Sequence, residues 1–182
     1  MTGMTAPLIL PFRLVLPTIA PDAFVAPNAV VIGDTIIGAE TSIWFNCVLR
    51  GDVAPIRVGA RVNIQDGTIV HVSSGTSGTT IGDAVSIGHA ALIHGCTLEP
   101  GSFVGMAAVV MDGAVVESDA MVAAGSLVTP GKRVKRGELW AGRPARFLRP
   151  LTDADREANL RIADGYVALS RTYRAAGTPG QV

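Results

Sequence analysis

Aliphatic residues recur every six positions along most of this chain. The series runs Ile19, Val25, Val31, Ile37, Ile43, Leu49, then Val58, Ile64, Val70, then Ile81, Ile87, Ile93, and finally Leu98, Val104, Val110, Val116, Val122, Val128, Val134 and Trp140. Representative units are Ile37-Gly-Ala-Glu-Thr-Ser and Val104-Gly-Met-Ala-Ala-Val, with an aliphatic first residue, often glycine second, and a small or branched residue fifth. No helical period explains that spacing. A period of six suits a triangular solenoid, in which each hexapeptide is one short strand plus a corner, three make a coil, and stacked coils pair as parallel strands. The first residue of each unit then points into the prism. Gly, Asn or Asp at the corners supplies the left-handed backbone conformations that tight turns need.

The series breaks three times, with three extra residues between Leu49 and Val58, five extra between Val70 and Ile81, and one too few between Ile93 and Leu98. Extra residues most simply loop out at a corner. The second insertion, within Ser73 to Thr80, is polar and glycine-rich and reads as a mobile loop. After Thr152 the period changes: Thr152-Asp-Ala-Asp155 resembles a helix N-cap with early acidic residues, and Leu160, Ala163, Val167 and Ser170, with Tyr166 and Tyr173, fall at helical spacing. The expected organisation is an extended lead-in over 1–18, a β-solenoid over 19–145, a linker and C-terminal α-helix over 146–176, and a frayed tail over 177–182. The fold class is all-β with one terminal helix.

At 182 residues the chain is one domain's worth, able to bury a core without disulfide staples. Its 15 Lys and Arg balance 15 Asp and Glu, which argues against a nucleic-acid or anionic-membrane partner and for a small, weakly charged substrate. Cys47 and Cys96 lie in apolar stretches and read as buried thiols of a protein in a reducing cytoplasm. The apolar run Ala6 to Leu16 contains Pro7, Pro11 and Arg13 and lacks a basic leader, so it reads as neither signal peptide nor membrane span.

The repeat register says which of the three histidines can share a site. His71 is the second residue of the unit starting at Val70, and His94 the second residue of the unit starting at Ile93, three units and therefore one coil later. Their imidazoles stack on one face at the strand spacing of ~4.8 Å, close enough to grip one metal ion. Arg50 falls in the same column. His89 is the third residue of its unit, on the preceding face with a corner between, as is Asp66, with Gln65 beside it. A three-fold assembly would bring one face of a subunit against a different face of its neighbour, so that a neighbouring His89 completes a three-histidine set. Three imidazoles leave a fourth tetrahedral position open, which is the catalytic pattern. The bland alternative is a set of ordinary solvated corner positions.

The strings Ile43-Trp-Phe-Asn-Cys-Val-Leu-Arg-Gly-Asp52, Asn63-Ile-Gln-Asp-Gly-Thr-Ile-Val-His71 and Ile87-Gly-His-Ala-Ala-Leu-Ile-His-Gly-Cys96 resemble the signature segments of γ-class carbonic anhydrases, and Trp140-Ala-Gly-Arg-Pro-Ala145 resembles the turn that closes such solenoids. The resemblance implies a left-handed β-helix and a homotrimer that holds its metal on His71 and His94 of one subunit and His89 of the next. It implies that Gln65 hydrogen-bonds the hydroxide or substrate, that Asn63 lies beside the substrate, and that Arg50, Asp52 and Asp66 form a charged network across the subunit interface. Asp52 and Asp66 read equally well as structural ion pairs that fix the trimer. Tyr166 resembles a tyrosine that approaches the metal, and simple packing of the helix accounts for it equally well. The implied reaction is reversible hydration of carbon dioxide to bicarbonate, with the metal acidifying its bound water to supply hydroxide at neutral pH. Zinc is the first choice, and ferrous iron or cobalt would accept the same ligands.

The chain departs from the family prototype in one respect, since Val53-Ala-Pro55 stands where the prototype carries a longer acidic loop that exports protons. Two rivals remain at this stage. An acyltransferase or thioesterase-like enzyme on coenzyme A esters would need a basic pocket for phosphates, and the basic cluster Lys132 to Arg136 lies more than two coils beyond His94. A metal-binding scaffold would keep the histidines without the catalysis.

Overall fold

The computed structural model describes residues 6–75 and 78–177, which form a left-handed parallel β-helix of about seven turns followed by a single C-terminal helix. Each hexapeptide contributes one short strand, and the strands stack into three faces. The first face stacks Leu8–Leu10, the leading halves of Val30–Ile37 and Val48–Val58, then Ile69–His71, Leu92–His94, Val109–Val110 and Leu127–Val128. The second stacks Thr18–Ile19, the trailing halves of the same two long strands, then Thr79–Ile81, Thr97–Leu98, Val115–Val116 and Arg133–Val134. The third runs from Phe24–Val25 through Ser42–Ile43, Asn63–Ile64, Ser86–Ile87, Phe103–Val104 and Met121–Val122 to Glu138–Gly142, where Ala145–Pro150 pairs antiparallel and closes the stack.

Every member of the period-six series from Val25 to Val134 is buried, while Ile19 and Trp140 at the two ends pack against the core and stay partly open. Each such side chain stabilises the prism by roughly 1.5–3 kcal/mol, so a one-residue slip in register would forfeit a column of them at once. At the corner between the third and first faces the fourth residue of the unit takes the left-handed conformation, at Asn28, Asn46, Gly67, Ala90, Ala107 and Gly125. Ala90 and Ala107 depart from the expected Gly, Asn or Asp, at φ of 57° and 54°. An alanine there costs about 1–2 kcal/mol, and the corner holds because the coils on either side bond to it. Ala90 N–H donates to the Asp66 carbonyl at 2.9 Å and Ala107 N–H to the His89 carbonyl at 2.8 Å.

All three breaks in the series fall at one corner, between the first and second faces. Gly33 pairs with Gly51 and Thr35 with Ile56, so residues 52–55 bulge out opposite Asp34 alone. One coil on, His71 pairs with His94 and Thr80 with Thr97, so the longer insertion between His71 and Thr80 falls at the corner where the next coil has Gly95 and Cys96. Insertions stacked at one corner leave the ladders on both sides intact, and they surround the ends of the strands that carry Arg50, His71 and His94.

The helix Asp153–Ala175 starts where the sequence signals it. Thr152 is the N-cap: its hydroxyl accepts from Asp155 N–H at 3.2 Å, and the Asp155 carboxylate accepts from Thr152 N–H at 2.8 Å. Ala163, Val167 and Ser170 bury against the third face, and Tyr166 and Tyr173 pack tilted or edge-on to Trp44 and Phe24. Leu160, expected on that buried stripe, is instead 63% exposed, because the first turns of the helix stand off the solenoid over a cavity of about 400 Å³. Arg61 to Asp164 at 2.7 Å, and Arg174 to the carbonyls of Pro21 and Asp22 at 2.9 Å, tie the rest of the helix down. Thr152→Ala is expected to lower stability by ~1 kcal/mol, read as a small fall in the urea midpoint with an unchanged slope.

Candidate metal centre

His71 and His94 occupy the same register position on adjacent strands of the first face. Their ring centroids are 5.1 Å apart, and His71 Nδ1 faces His94 Nε2 at 3.1 Å. Two ligands on a tetrahedral ion with bonds of about 2.0–2.1 Å stand roughly 3.4 Å apart, so these two nitrogens fit as neighbouring ligands of one divalent metal. Their outer nitrogens are held by carboxylates. Asp52 Oδ1 lies 3.1 Å from His71 Nε2, and Asp112 Oδ1 lies 3.0 Å from His94 Nδ1. A carboxylate on the far nitrogen of a ligating imidazole fixes its tautomer and raises its basicity.

Asp52 also pairs with Arg50 of the same chain and accepts from Val53 N–H at 2.9 Å. Burial works against charge on Asp52, yet the hydrogen bonds from His71 and Arg50 outweigh it and hold the carboxyl below its ordinary pKa. Asp112 follows the same pattern, with burial outweighed by bonds from His94 and from Ser73, whose hydroxyl donates at 3.0 Å. Both carboxyls therefore remain anionic near neutral pH.

His89 lies elsewhere. It follows the third-face strand Ser86–Ile87, immediately before the left-handed corner at Ala90, and its Nδ1 meets Asp66 Oδ2 at 2.9 Å. Among the described residues, no group of three His, Cys, Asp or Glu side chains is placed to hold a metal within one chain. The structure thus joins Arg50, Asp52, His71 and His94 at one corner, and Asp66 with His89 at another.

Gln65, Gly88 and His89 line one end of a cavity of about 370 Å³, whose other walls include Phe103, Met106, Met121, Ile162 and Tyr166. Gln65 is buried, and its amide nitrogen donates to Asn63 Oδ1 at 2.9 Å, while the Asn63 amide donates to Ser86 Oγ at 2.7 Å. Asn63 therefore stands behind Gln65, orienting it. Tyr166 packs edge-on to Trp44 at 5.3 Å, as the packing alternative expects, and also lines the cavity that His89 lines. Burial, then the Asp66 charge, pushes its phenol pKa up, which keeps it neutral.

Sequence reasoning missed two members of these networks, Ser86 and Asp112. The available signal for Asp112 was Gly95: the register sets the two opposite each other, and a residue without a side chain leaves room for its neighbour to lean across. The two cysteines are free and buried, and burial pushes each thiol up to about 12. Among the described residues no helix is long and apolar enough to cross a membrane.

A left-handed hexapeptide solenoid with paired, carboxylate-backed histidines at an inserted corner defines a class of protein, and comparison with known sequences and structures narrows it. The family model described as bacterial transferase hexapeptide (six repeats) matches residues 17–51. The chain is 51% identical over 164 residues to gamma carbonic anhydrase 1, mitochondrial, of Arabidopsis thaliana, a match covering 87% of this chain and 60% of that protein. It is 43% identical over 168 residues to a carbonic anhydrase of Geobacillus kaustophilus, covering 92% of each. The crystal structure of a hexapeptide transferase family protein from Anaplasma phagocytophilum superposes with a TM-score of 0.87 at 51% identity, covering 91% of this chain and 98% of that one. The chain belongs to the γ-carbonic anhydrase-like family of hexapeptide-repeat proteins. It spans about three fifths of the length of the plant relative it matches.

Proposed function

We propose that this chain is a metal-dependent carbonic anhydrase that hydrates carbon dioxide reversibly to bicarbonate, at sites shared between the subunits of a homotrimer. The observation that carries the reading is the convergence of His71 Nδ1 and His94 Nε2, with a carboxylate behind each ring. The partner subunit's His89 supplies the third ligand. A divalent ion in such a set acidifies a water so that hydroxide is available near neutral pH. Zinc is the assigned metal, and iron(II) or cobalt(II) suits the same nitrogens. The reading fits a cytoplasmic protein, since two free buried thiols suit a reducing compartment.

The protein's own groups then act on the reactants. One N–H of the Gln65 amide is donated to Asn63, which fixes the amide plane and leaves the carbonyl oxygen available to accept the hydrogen of the attacking hydroxide. The apolar wall formed by Phe103, Met106, Met121 and Ile162 takes an uncharged linear gas without competing for it with hydrogen bonds. Asp52 is occupied by Arg50 and His71, and Val53, Ala54 and Pro55 carry no acid, so protons leave through water to buffer.

The test is anaerobic stopped-flow carbon dioxide hydration with metal-replete protein. Gln65→Ala is expected to lower kcat/KM by about 10–100-fold with metal content unchanged, and wild-type turnover should rise with buffer concentration. A metal-replete wild type without hydration activity would overturn the enzyme reading in favour of a metal-binding scaffold. Acyl transfer to or from coenzyme A esters is the other rival, motivated by the transferase names among the relatives. The cluster at Lys132 to Arg136 favours it little, because Arg133 is paired with Glu117 and Arg136 with Asp119.

A further inference from the structure

We infer that Asp112, tied to Ser73, is a positioning residue that sets the tautomer and orientation of His94 for metal binding. The inference rests on the metal-site reading above. Asp112 Oδ1 sits 3.0 Å from His94 Nδ1 and accepts the Ser73 hydroxyl, also at 3.0 Å, so one oxygen joins the histidine to the first residues of the longest corner insertion. With Nδ1–H committed to Asp112, the His94 Nε2 lone pair points at His71 Nδ1, 3.1 Å away, where a metal would sit between them. Asp52 does for His71 what Asp112 does for His94, from the preceding coil and with Arg50 behind it.

Asp112 reaches across from the next coil. Ile93 pairs with Val110, which sets Asp112 opposite Gly95 instead of opposite His94. The carboxylate gets to the imidazole by leaning over that glycine, at φ 54°, where a Cβ would come within 2.1 Å of Asp112 Oδ1. Gly95 is thus a steric condition of the contact.

Cobalt(II) alone serves as probe, titrated into metal-free full-length wild type and into Asp112→Asn, Asp112→Ala and Ser73→Ala proteins, with affinity read by chelator competition and geometry by the visible d–d spectrum. Asp112→Ala is expected to weaken binding 10–100-fold and to alter the spectrum. Asp112→Asn, whose carbonyl oxygen still accepts from Nδ1–H, should fall between Ala and wild type, and Ser73→Ala should lose less than about tenfold. In the metal-free proteins, ¹⁵N NMR of His94 should show the Nδ1–H form in the wild type and a tautomer mixture in Asp112→Ala. A role confined to the fold would lower thermal stability without moving tautomer or spectrum. Equal cobalt affinity and an unchanged tautomer in Asp112→Ala would overturn this inference alone. A wild type that binds no cobalt, or a His94→Ala protein that binds it as tightly, would overturn the metal-site reading instead.

Discussion

His94→Ala is expected to abolish metal retention and to cut carbon dioxide hydration by on the order of 10³-fold or more. The size follows from what the imidazole holds. Its Nε2 is one of only two ring nitrogens that converge in the chain, and losing it leaves His71 Nδ1 without its neighbour at 3.1 Å. A Lewis-acid centre is worth several kcal/mol at the transition state, and each 1.4 kcal/mol is about a factor of ten. Folding should survive. His94 is partly exposed, and the strand register that carries it rests on the buried Ile93 beside it, so the variant loses no core contact. Metal content by mass spectrometry, expected to fall from about one ion per chain to near zero, checks the first part. Unchanged oligomeric state by light scattering checks the second. A variant that keeps its metal would mean that these histidines are not the ligands.

The pairing of His71 with His94 was legible in the sequence for a physical reason: a period-six register converts residue number into position on the prism. The register held through two insertions because both bulge from one corner and leave the ladders on each side in step. His89 was legible as the residue on the other face by the same arithmetic. The register gives the height and face of a residue but not the lean of its side chain, and this is where Asp112 and Ser86 escaped. Asp112 belongs by position to Gly95 and by contact to His94, and only coordinates show the difference. Leu160 failed for a different reason. Helical spacing predicts a stripe, but not how far along the stripe the helix lies flat on the sheet. The left-handedness of the coil came from resemblance, since the period alone is neutral on the hand.

Because each proposed site takes His71 and His94 from one subunit and His89 from the next, mixing defective subunits should restore activity in one combination and not in another. His71→Ala and His89→Ala proteins are each expected to be inactive. Co-expressed at equal levels with different tags, they assemble at random, and a site is intact when a chain with its His71 precedes a chain with its His89, which happens for about a quarter of the sites in a three-fold ring. Doubly tagged trimers exclude the two homotrimers and each holds one intact site in about three, so their metal content and hydration rate should rise to roughly a third of the wild-type values. His71→Ala co-expressed with His94→Ala makes the matched control. These two ligands come from the same chain, so no arrangement of the mutant subunits repairs a site, and no rescue is expected. Rescue in the control, or its absence in the first mixture despite proven mixed trimers, would refute the shared site. The contrast depends on which faces carry the residues: His71 and His94 end first-face strands, while His89 lies one corner back beside Asp66. A metal site confined to one chain would give the same null result in both mixtures.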